Sequence, residues 1–168
     1  MVKRYHLAEV NIARMRAPLE DPVMEGFRSQ LDTINALADG SPGFVWRLQT
    51  EEGNATALRP YDDDRILVNM SVWESFEALH EFVYRSHHVG PLRDREKWFH
   101  RMEGPILVLW WIPAGHIPTV DEAKDRLAFL KAHGPTPDAF TFRDAFPPPG
   151  QPMGSLPKVD AQFCEWAS

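Results

Sequence analysis

The hydrophobic pattern of the first 115 residues alternates between stretches typical of strands and stretches typical of helices. Apolar and polar residues alternate over 5–13, and the segments 43–51 and 65–73 have strand composition. A continuous apolar run at 105–113 completes a set of four predicted strands. The segment between the second and third strands is polar and rich in turn residues, which predicts a hairpin with a long connection.

Two segments between these strands repeat apolar residues every three or four positions, as amphipathic helices do. The first is predicted to start at Asp21 and Pro22, because a carboxylate can cap free N–H groups and proline suits the first turn, and to end near Gly40. The second should begin near Ser75, break at a Gly-Pro pair and continue through 92–102. The apolar stripes are Met24, Phe27, Leu31, Ile34 and Ala38 in the first helix, and Phe76, Leu79, Phe82 and Val83 in the second.

The element order β-α-β-β-α-β is typical of a ferredoxin-like α+β sandwich, in which both helices cover one face of an antiparallel sheet. Strand alternation divides the third strand into a wholly apolar set and a mixed set. These sets are Ile66, Val68, Met70 and Val72, and Leu67, Asn69, Ser71 and Trp73. We assign the apolar set to the helix side and the mixed set, with Glu9 and Asn11 of the first strand, to an open face.

The C-terminal third of the chain predicts one more helix and an extended arm. A capping box at Thr119 begins the third helix, and a Gly-Pro pair after residue 133 ends it. The next segment is rich in proline, which favours extended backbone. We therefore predict an α+β domain over 1–134 and a proline-rich arm over 135–168. Three aromatic residues could hold this arm against the domain or a second subunit: Phe140, Phe142 and Phe146.

Composition and charge limit the possible partners. The net charge is −6 and the pI about 5.6, and no basic stripe is visible, so no nucleic acid is expected as a partner. Cys164 is the single cysteine, which permits no intrachain disulfide and suits a reducing compartment. The charged positions in the first 15 residues do not fit a signal peptide, and the apolar run 106–113 is too short to span a bilayer. We expect a cytoplasmic protein without a membrane partner.

The stretch NMSVWESFEALHEFVYRSHH, residues 69–88, together with the element order over 5–115, resembles the dimeric α/β-barrel superfamily. That superfamily includes the antibiotic-biosynthesis monooxygenases. Within it, the chain is most similar to a bacterial family known only as a domain of unknown function. The resemblance implies a homodimer in which two open sheet faces meet across a two-fold axis. It also implies a cavity in each subunit, between sheet and helices or inside the barrel.

The resemblance also implies a substrate site. Cofactor-independent, quinone-forming monooxygenases of this superfamily hold a phenolic substrate with an Asn and a Trp four residues apart on the third strand and an Arg on the next helix. Asn69, Trp73 and Arg93 have matching spacings. The tyrosine of those enzymes would fall near Leu79, which is a departure from their pattern. The haem-degrading branch is less similar, since its haem-ligating histidine would fall near Leu92.

The residues themselves add further candidates for the site, together with purely structural explanations for some of them. Asn11 lies on the central strand next to Asn69. A side-chain amide buried in a strand needs a hydrogen-bonding partner, so both asparagines are candidates for binding a ligand. His87 or His88 could act as a general base near neutral pH, but adjacent helical residues diverge by about 100°, so at most one faces a pocket. Trp73 could simply be a core residue, and a helix-end histidine could simply offset the helix dipole. No histidine spacing predicts a metal site, and no cofactor is predicted.

Three functions remain open from the sequence. The first is a cofactor-independent, monooxygenase-like or isomerase-like enzyme acting on a small, largely apolar aromatic molecule. The second is a non-catalytic module that binds a small molecule, with haem as one possibility. The third is a dimeric structural protein without a ligand. No motif of a hydrolase, kinase or dinucleotide-binding enzyme is present.

Overall fold

The computed structural model describes residues 3–49, 60–89 and 94–159, which form an α+β structure. Within these residues, five strands make an antiparallel sheet, three α-helices pack against it, and two short 3-10 turns lie in the connections. The α-helices and strands are β1 (Tyr5–Met15), α1 (Glu25–Asp39), β2 (Phe44–Arg47), β3 (Ile66–Trp73), α2 (Phe76–Val89), β4 (Phe99–His100), β5 (Leu107–Pro113) and α3 (Val120–His133). None of the helices in these ranges has the length and apolar character needed to cross a membrane.

Strand β1 lies at the centre of the sheet. It pairs with β3 on one side, where Asn11 faces Asn69, and with β5 on the other, where Val10 faces Val108. Strand β2 pairs with the outer edge of β3, and the two-residue β4 extends the β5 side near Arg14. The four predicted strands are confirmed, with boundaries that shift by up to four residues.

The two faces of the sheet are covered in the opposite way to the sequence assignment. Side chains of α1 and α2 pack with the face that carries Leu7, Trp73 and Leu109. The wholly apolar face, which includes Val68 and Met70, lies under α3. The side chains of α3 that cover it are Ala123, Leu127 and Leu130. Our assignment was wrong because α3 supplies a second layer, so the apolar set does not need the first two helices.

This second layer removes the physical reason that an open sheet face gave for dimerisation. All of the apolar set except the half-buried Ile66 is buried within one chain, and Trp73 on the other face is fully buried. The described residues of the predicted open face thus do not present the exposed apolar surface from which a partner was inferred. The homodimer therefore stays a prediction that depends on the family resemblance alone.

The predicted continuation of the second helix is also wrong in its described part. Residues 95–97 form a 3-10 turn, and Phe99 and His100 form β4, which pairs with Arg14 and Met15 of β1. Phe99 packs in a small apolar cluster under the start of α1. Pairing with the free edge of β1 beyond β5 satisfies backbone groups that a helix would have left exposed at the sheet.

The described start of the proline-rich arm packs along the domain, one of the two predicted arrangements, through its three phenylalanines. Phe140 is fully buried, and its backbone exchanges two hydrogen bonds with Leu109 of β5, at 2.8 and 2.9 Å. Phe142 is buried beside it, and Phe146 accepts a hydrogen bond at its carbonyl from the indole N–H of Trp111. The start of the arm is therefore part of the core of the domain.

Helix α3 is tied to the sheet through its first turn. The side chain of Thr119 accepts a hydrogen bond from the backbone N–H of Glu122, as the predicted capping box requires. The carboxylate of Glu122 in turn accepts hydrogen bonds from the indole N–H of Trp110, at 3.1 Å, and from His116, at 2.9 Å. One side chain thus joins the helix start, the sheet and the preceding loop.

Replacing Thr119 by alanine should lower the free energy of unfolding by about 1 kcal/mol, because the cap to the N–H of Glu122 is lost. Urea unfolding monitored by circular dichroism measures this change. Thr119→Ser, which keeps the accepting hydroxyl, is the matched control and should stay close to wild type. Equal stability of Thr119→Ala and wild type would show that the cap contributes nothing to the fold.

Candidate functional site

A cavity of about 210 Å³ lies between the sheet and helices α1 and α2. Its helix side is mainly apolar, with Asn35 and Ser86 as polar members, and the apolar residues come from the predicted stripes of the two helices: Phe27, Leu31, Ile34, Ala38, Leu79, Phe82 and Val83. Its sheet side carries the polar residues Glu9, Asn11, Asn69 and Ser71, with apolar residues such as Ala13 and Leu67 beside them. The helices therefore bury only part of their apolar faces against the strands and leave an amphiphilic space above β1 and β3.

Glu9 lies at the centre of a hydrogen-bond network on this polar floor. Asn11 Nδ2 donates to Glu9 Oε1 at 2.6 Å, and Ser71 Oγ donates to Glu9 Oε2 at 3.1 Å. The indole N–H of Trp73 donates to Ser71 Oγ at 2.9 Å. Strand geometry explains the arrangement, because Glu9 faces Ser71 in the antiparallel register and residues two apart share a face.

Glu9 is 4% exposed, and no cation among the described residues forms an ion pair with its carboxyl group. Burial raises the pKa of Glu9 from 4.5 to about 7, although hydrogen bonds from Asn11 and Ser71 lower it in part. Both protonation states are therefore populated near neutral pH. A carboxyl group with this pKa can accept a proton from a bound molecule and return it.

Polar side chains also lie at the edges of the cavity. Arg47 is held by Asp39 at the end of α1, with nitrogen–oxygen distances of 2.8 and 3.3 Å. Ser86 of α2 is buried and donates to the carbonyl of Val83. Arg95 lines the side nearest β4, and burial lowers its pKa while Glu96 raises it in part. Arg47 and Arg95 thus add charged groups to the lining of a cavity whose helix wall is mainly apolar.

Two of the sequence-predicted site residues lie together on the cavity floor. Asn11 and Asn69 are opposite each other in the pairing of β1 with β3, and both line the cavity. Asn11 is half-buried, but Asn69 is exposed, so the argument that Asn69 needs a partner because it is buried was wrong. Its amide faces the cavity from an accessible position at the edge.

Trp73 does not line the cavity. Its ring is fully buried, stacks on Phe82 with centroids 4.9 Å apart, and meets the ring of Phe44 edge-on at 5.5 Å. The indole face that would stack on a substrate is therefore packed against protein. Trp73 reaches the site through its N–H, which holds Ser71 beside Glu9.

The remaining predicted residues lie away from the cavity or outside the described residues. His87 is half-buried in the last turn of α2 and does not contribute to the cavity wall. His88 belongs to the same turn, but its side chain lies outside the described residues, as does all of Arg93. In the described ranges, no three His, Cys, Asp or Glu side chains are grouped so that they could hold a metal ion.

Glu9 is the site residue that the sequence interpretation did not select. The signal was present, since strand alternation places Glu9 on the same face as Asn11, and an acidic residue in the middle of a central strand is unusual. Glu9 was not selected because the face assignment placed it on an open face of the sheet. On an open face Glu9 would be solvated, whereas under two helices its pKa is raised.

These features define an α+β domain with a titratable carboxyl group in a small amphiphilic cavity. The chain belongs to the family described as Domain of unknown function (DUF3291), whose model matches residues 6–155. This match covers most of the chain and includes the sheet, the three helices and the start of the arm. A search of curated proteins found no match to the chain.

Proposed function

We propose that the protein is an enzyme that moves a proton on a small, largely apolar ring compound held in the cavity above Glu9. The reaction would be isomerase-like or a cofactor-independent, monooxygenase-like oxidation. The observation that carries this proposal is the buried Glu9 carboxyl, whose pKa is raised to about 7 and whose two oxygens accept oriented hydrogen bonds. Perturbed carboxyl groups in cavities are typical of acid–base sites.

The size of the cavity supports a substrate with one substituted ring. An apolar protein cavity of roughly 150 Å³ binds benzene, and this cavity has a volume of about 210 Å³. A phenol would place its ring against Leu31 and Leu79 and its hydroxyl toward Glu9 and Asn11. The same size argues against haem as the ligand of this cavity, because a porphyrin is several times larger than a single ring.

Both reaction types use Glu9 in the same first step, which is removal of a proton from the substrate. In an isomerisation, Glu9 would return that proton to a different atom. In an oxidation, a ring carbon of the phenolate would bond to molecular oxygen to give a hydroperoxide, and loss of water with cleavage of the O–O bond would leave the quinone, so that one monophenol supplies the four electrons that reduce O₂. Asn11 and Asn69 would hydrogen-bond to the oxygen of the ring compound.

The scaffold supports the resemblance to the dimeric α/β-barrel superfamily. The strand order β2-β3-β1-β5, with α1 and α2 on one face, is the order of a ferredoxin-like unit. The cavity lies between sheet and helices, which is one of the two places where the resemblance implies a cavity. Helix α3 covers the sheet face that the superfamily uses for dimerisation, so we propose that a homodimer of this chain would use another surface.

A cavity-filling substitution on α1 tests the proposed binding site. Leu31 points into the cavity, so Leu31→Trp should occupy the space of the ring and reduce the affinity for phenols at least tenfold. Ala36→Trp, on the exposed side of the same helix, adds the same side chain outside the cavity and should bind as wild type does. Isothermal titration with phenol and substituted phenols measures both variants.

Turnover distinguishes catalysis from simple binding. Oxygen consumption detects the oxidation, and exchange of substrate hydrogen for deuterium, followed by NMR, detects proton removal without oxidation. Binding of phenols with neither signal would favour the non-catalytic binding module. Absence of binding in wild type, or equal binding by Leu31→Trp, would contradict the proposed function.

A further inference from the structure

A second and larger space, an open groove of about 920 Å³, lies beside the cavity. It runs along the C-terminal end of β1, past β4, to residues 141–143 of the arm. The ionisable side chains along it are Arg16, Arg95, Arg101, Arg143, His100 and Glu96. Four arginines and one glutamate give these side chains a formal charge of +3 with neutral histidine, whereas the whole chain carries −6.

The groove and the cavity share part of their walls. Ala13, Arg95 and Phe99 line both spaces. Ala13 follows Asn11 by two positions on β1 and shares its face of the sheet, so the floor of the cavity continues along this strand toward the groove. The two spaces therefore adjoin at Arg95 and Phe99, where a substituent of a ring held in the cavity would enter the groove.

We propose that the groove binds an anionic group of the substrate, a carboxylate or a phosphate monoester, while the ring of the same molecule occupies the cavity. This inference rests on the proposed function, because it assigns the substrate class of that site. It makes the substrate an aromatic acid rather than a neutral phenol. The anionic end would fix the direction of the ring and present its hydroxyl to Glu9.

The arginines of the groove are suited to an anionic ligand. Arg101 and Arg143 are exposed, and within the described part of the chain neither side chain forms an ion pair or hydrogen bond. Arg16 uses its Nε–H for the carbonyl of Glu96, at 2.8 Å, and its terminal nitrogens are not used by that bond. Guanidinium groups bind carboxylate and phosphate oxygens through paired N–H donors, so a cluster of them attracts and orients an anion.

The test compares each acid with a neutral compound that keeps the hydroxyphenyl ring and replaces the anionic group. The acids are 4-hydroxyphenylacetate, 3-(4-hydroxyphenyl)propionate and 4-hydroxyphenyl phosphate, and the neutral partners are the two carboxamides and 4-methoxyphenol. Isothermal titration of the full chain should show that at least one acid binds about tenfold more tightly than its neutral partner at low salt. The difference should shrink at high ionic strength, since exposed charges are screened. The better of the carboxylate and phosphate series identifies the anion.

Variants locate the anionic group in the groove. Arg101→Gln and Arg143→Gln should each weaken binding of the preferred acid about two- to fivefold, and the double variant about tenfold, without changing the affinity of the neutral partner. Arg4→Gln is the matched control, because Arg4 is exposed but lies roughly 26 Å from Ile12, the first residue of the groove on β1. It should leave both ligands unaffected.

The outcomes separate the two proposals. If neutral phenols bind in the cavity but acids bind no more tightly, or if the groove variants bind acids as wild type does, the inference about the groove is overturned and the cavity site stands. If neither acids nor neutral compounds bind, the proposed function fails, and the groove inference fails with it.

Discussion

Replacing Glu9 by glutamine should remove a loss of stability that wild type shows as the pH rises from 4 to 8. The pKa of Glu9 shifts from 4.5 in the unfolded chain to about 7 in the fold. This shift corresponds to a loss of roughly 3 kcal/mol in the free energy of unfolding over that pH range. Glutamine has the shape of the protonated acid, with one accepting and one donating group. It can therefore accept from Asn11 and donate to Ser71, and it carries no charge into the cavity.

The sign follows from the direction of the pKa shift. Between pH 4.5 and 7 the folded protein holds a proton on Glu9 that the unfolded chain has released, so each rise in pH favours unfolding. This contribution of Glu9 is fully present below the unfolded pKa and is lost by the time the pH passes the folded pKa. The free energy of unfolding of Glu9→Gln minus that of wild type should thus be higher at pH 8 than at pH 4.

Glu122 supplies a control with the opposite sign. Burial raises its pKa, but hydrogen bonds from His116 and Trp110 outweigh burial and hold the pKa below its usual value. Its contribution is therefore present above pH 4.5 and lost as the pH falls, so Glu122→Gln should be destabilised at neutral pH. Urea unfolding measures the Glu9 slope between pH 4 and 8 and the opposite Glu122 slope below pH 4.5, where the lowered pKa of Glu122 lies. A Glu9→Gln profile parallel to wild type would refute the raised pKa.

Replacing Trp73 by alanine should cost about 3 to 5 kcal/mol of folding free energy, enough to leave much of a marginal domain unfolded. The ring is fully buried, stacks on Phe82 and meets Phe44, so its removal leaves a large hole in the core. Thermal and urea unfolding measure the loss. A near-native melting temperature for Trp73→Ala would show instead that the ring is an accessible platform on which a substrate stacks.

Trp73→Phe is a milder change that isolates the indole N–H. Phenylalanine keeps most of the ring contact with Phe82 but cannot donate to Ser71. Ser71 would then be less firmly oriented toward Glu9, and the affinity for phenols should fall without large unfolding. If Trp73→Phe binds and turns over phenols as wild type does, the indole hydrogen bond has no role at the site.

Local signals in the sequence were sufficient to predict most of the elements. Pro22 at the first turn, Thr119 with its capping box, and the alternation of β1 and β3 each depend on neighbouring residues, and the structure confirms them. The stretch at 95–102 was misread because Trp98 and Phe99 suit a helix stripe as well as a buried strand. Only the free edge of β1, which is a tertiary feature, decides between them.

The face assignment failed for the same reason on a larger scale. Alternation shows that Val68 and Met70 share one face and that Asn69 and Ser71 share the other, but it does not show which helices cover each face. The layer formed by α3 reversed the assignment. Asn11 and Asn69 could be selected from strand parity and resemblance, whereas the importance of Glu9 depends on burial, which only the three-dimensional packing determines.

The most direct measurement of the central claim is a titration of the Glu9 carboxyl group itself. In protein labelled with ¹³C at glutamate side-chain carboxyl groups, the Glu9 resonance is assigned by its absence in Glu9→Gln, and its shift is followed by NMR between pH 3 and 9. We expect a midpoint near pH 7, which moves when a phenol binds in the cavity. A midpoint at the ordinary value for glutamate, about 4.3, would contradict an acid–base role for Glu9 and the function proposed from it.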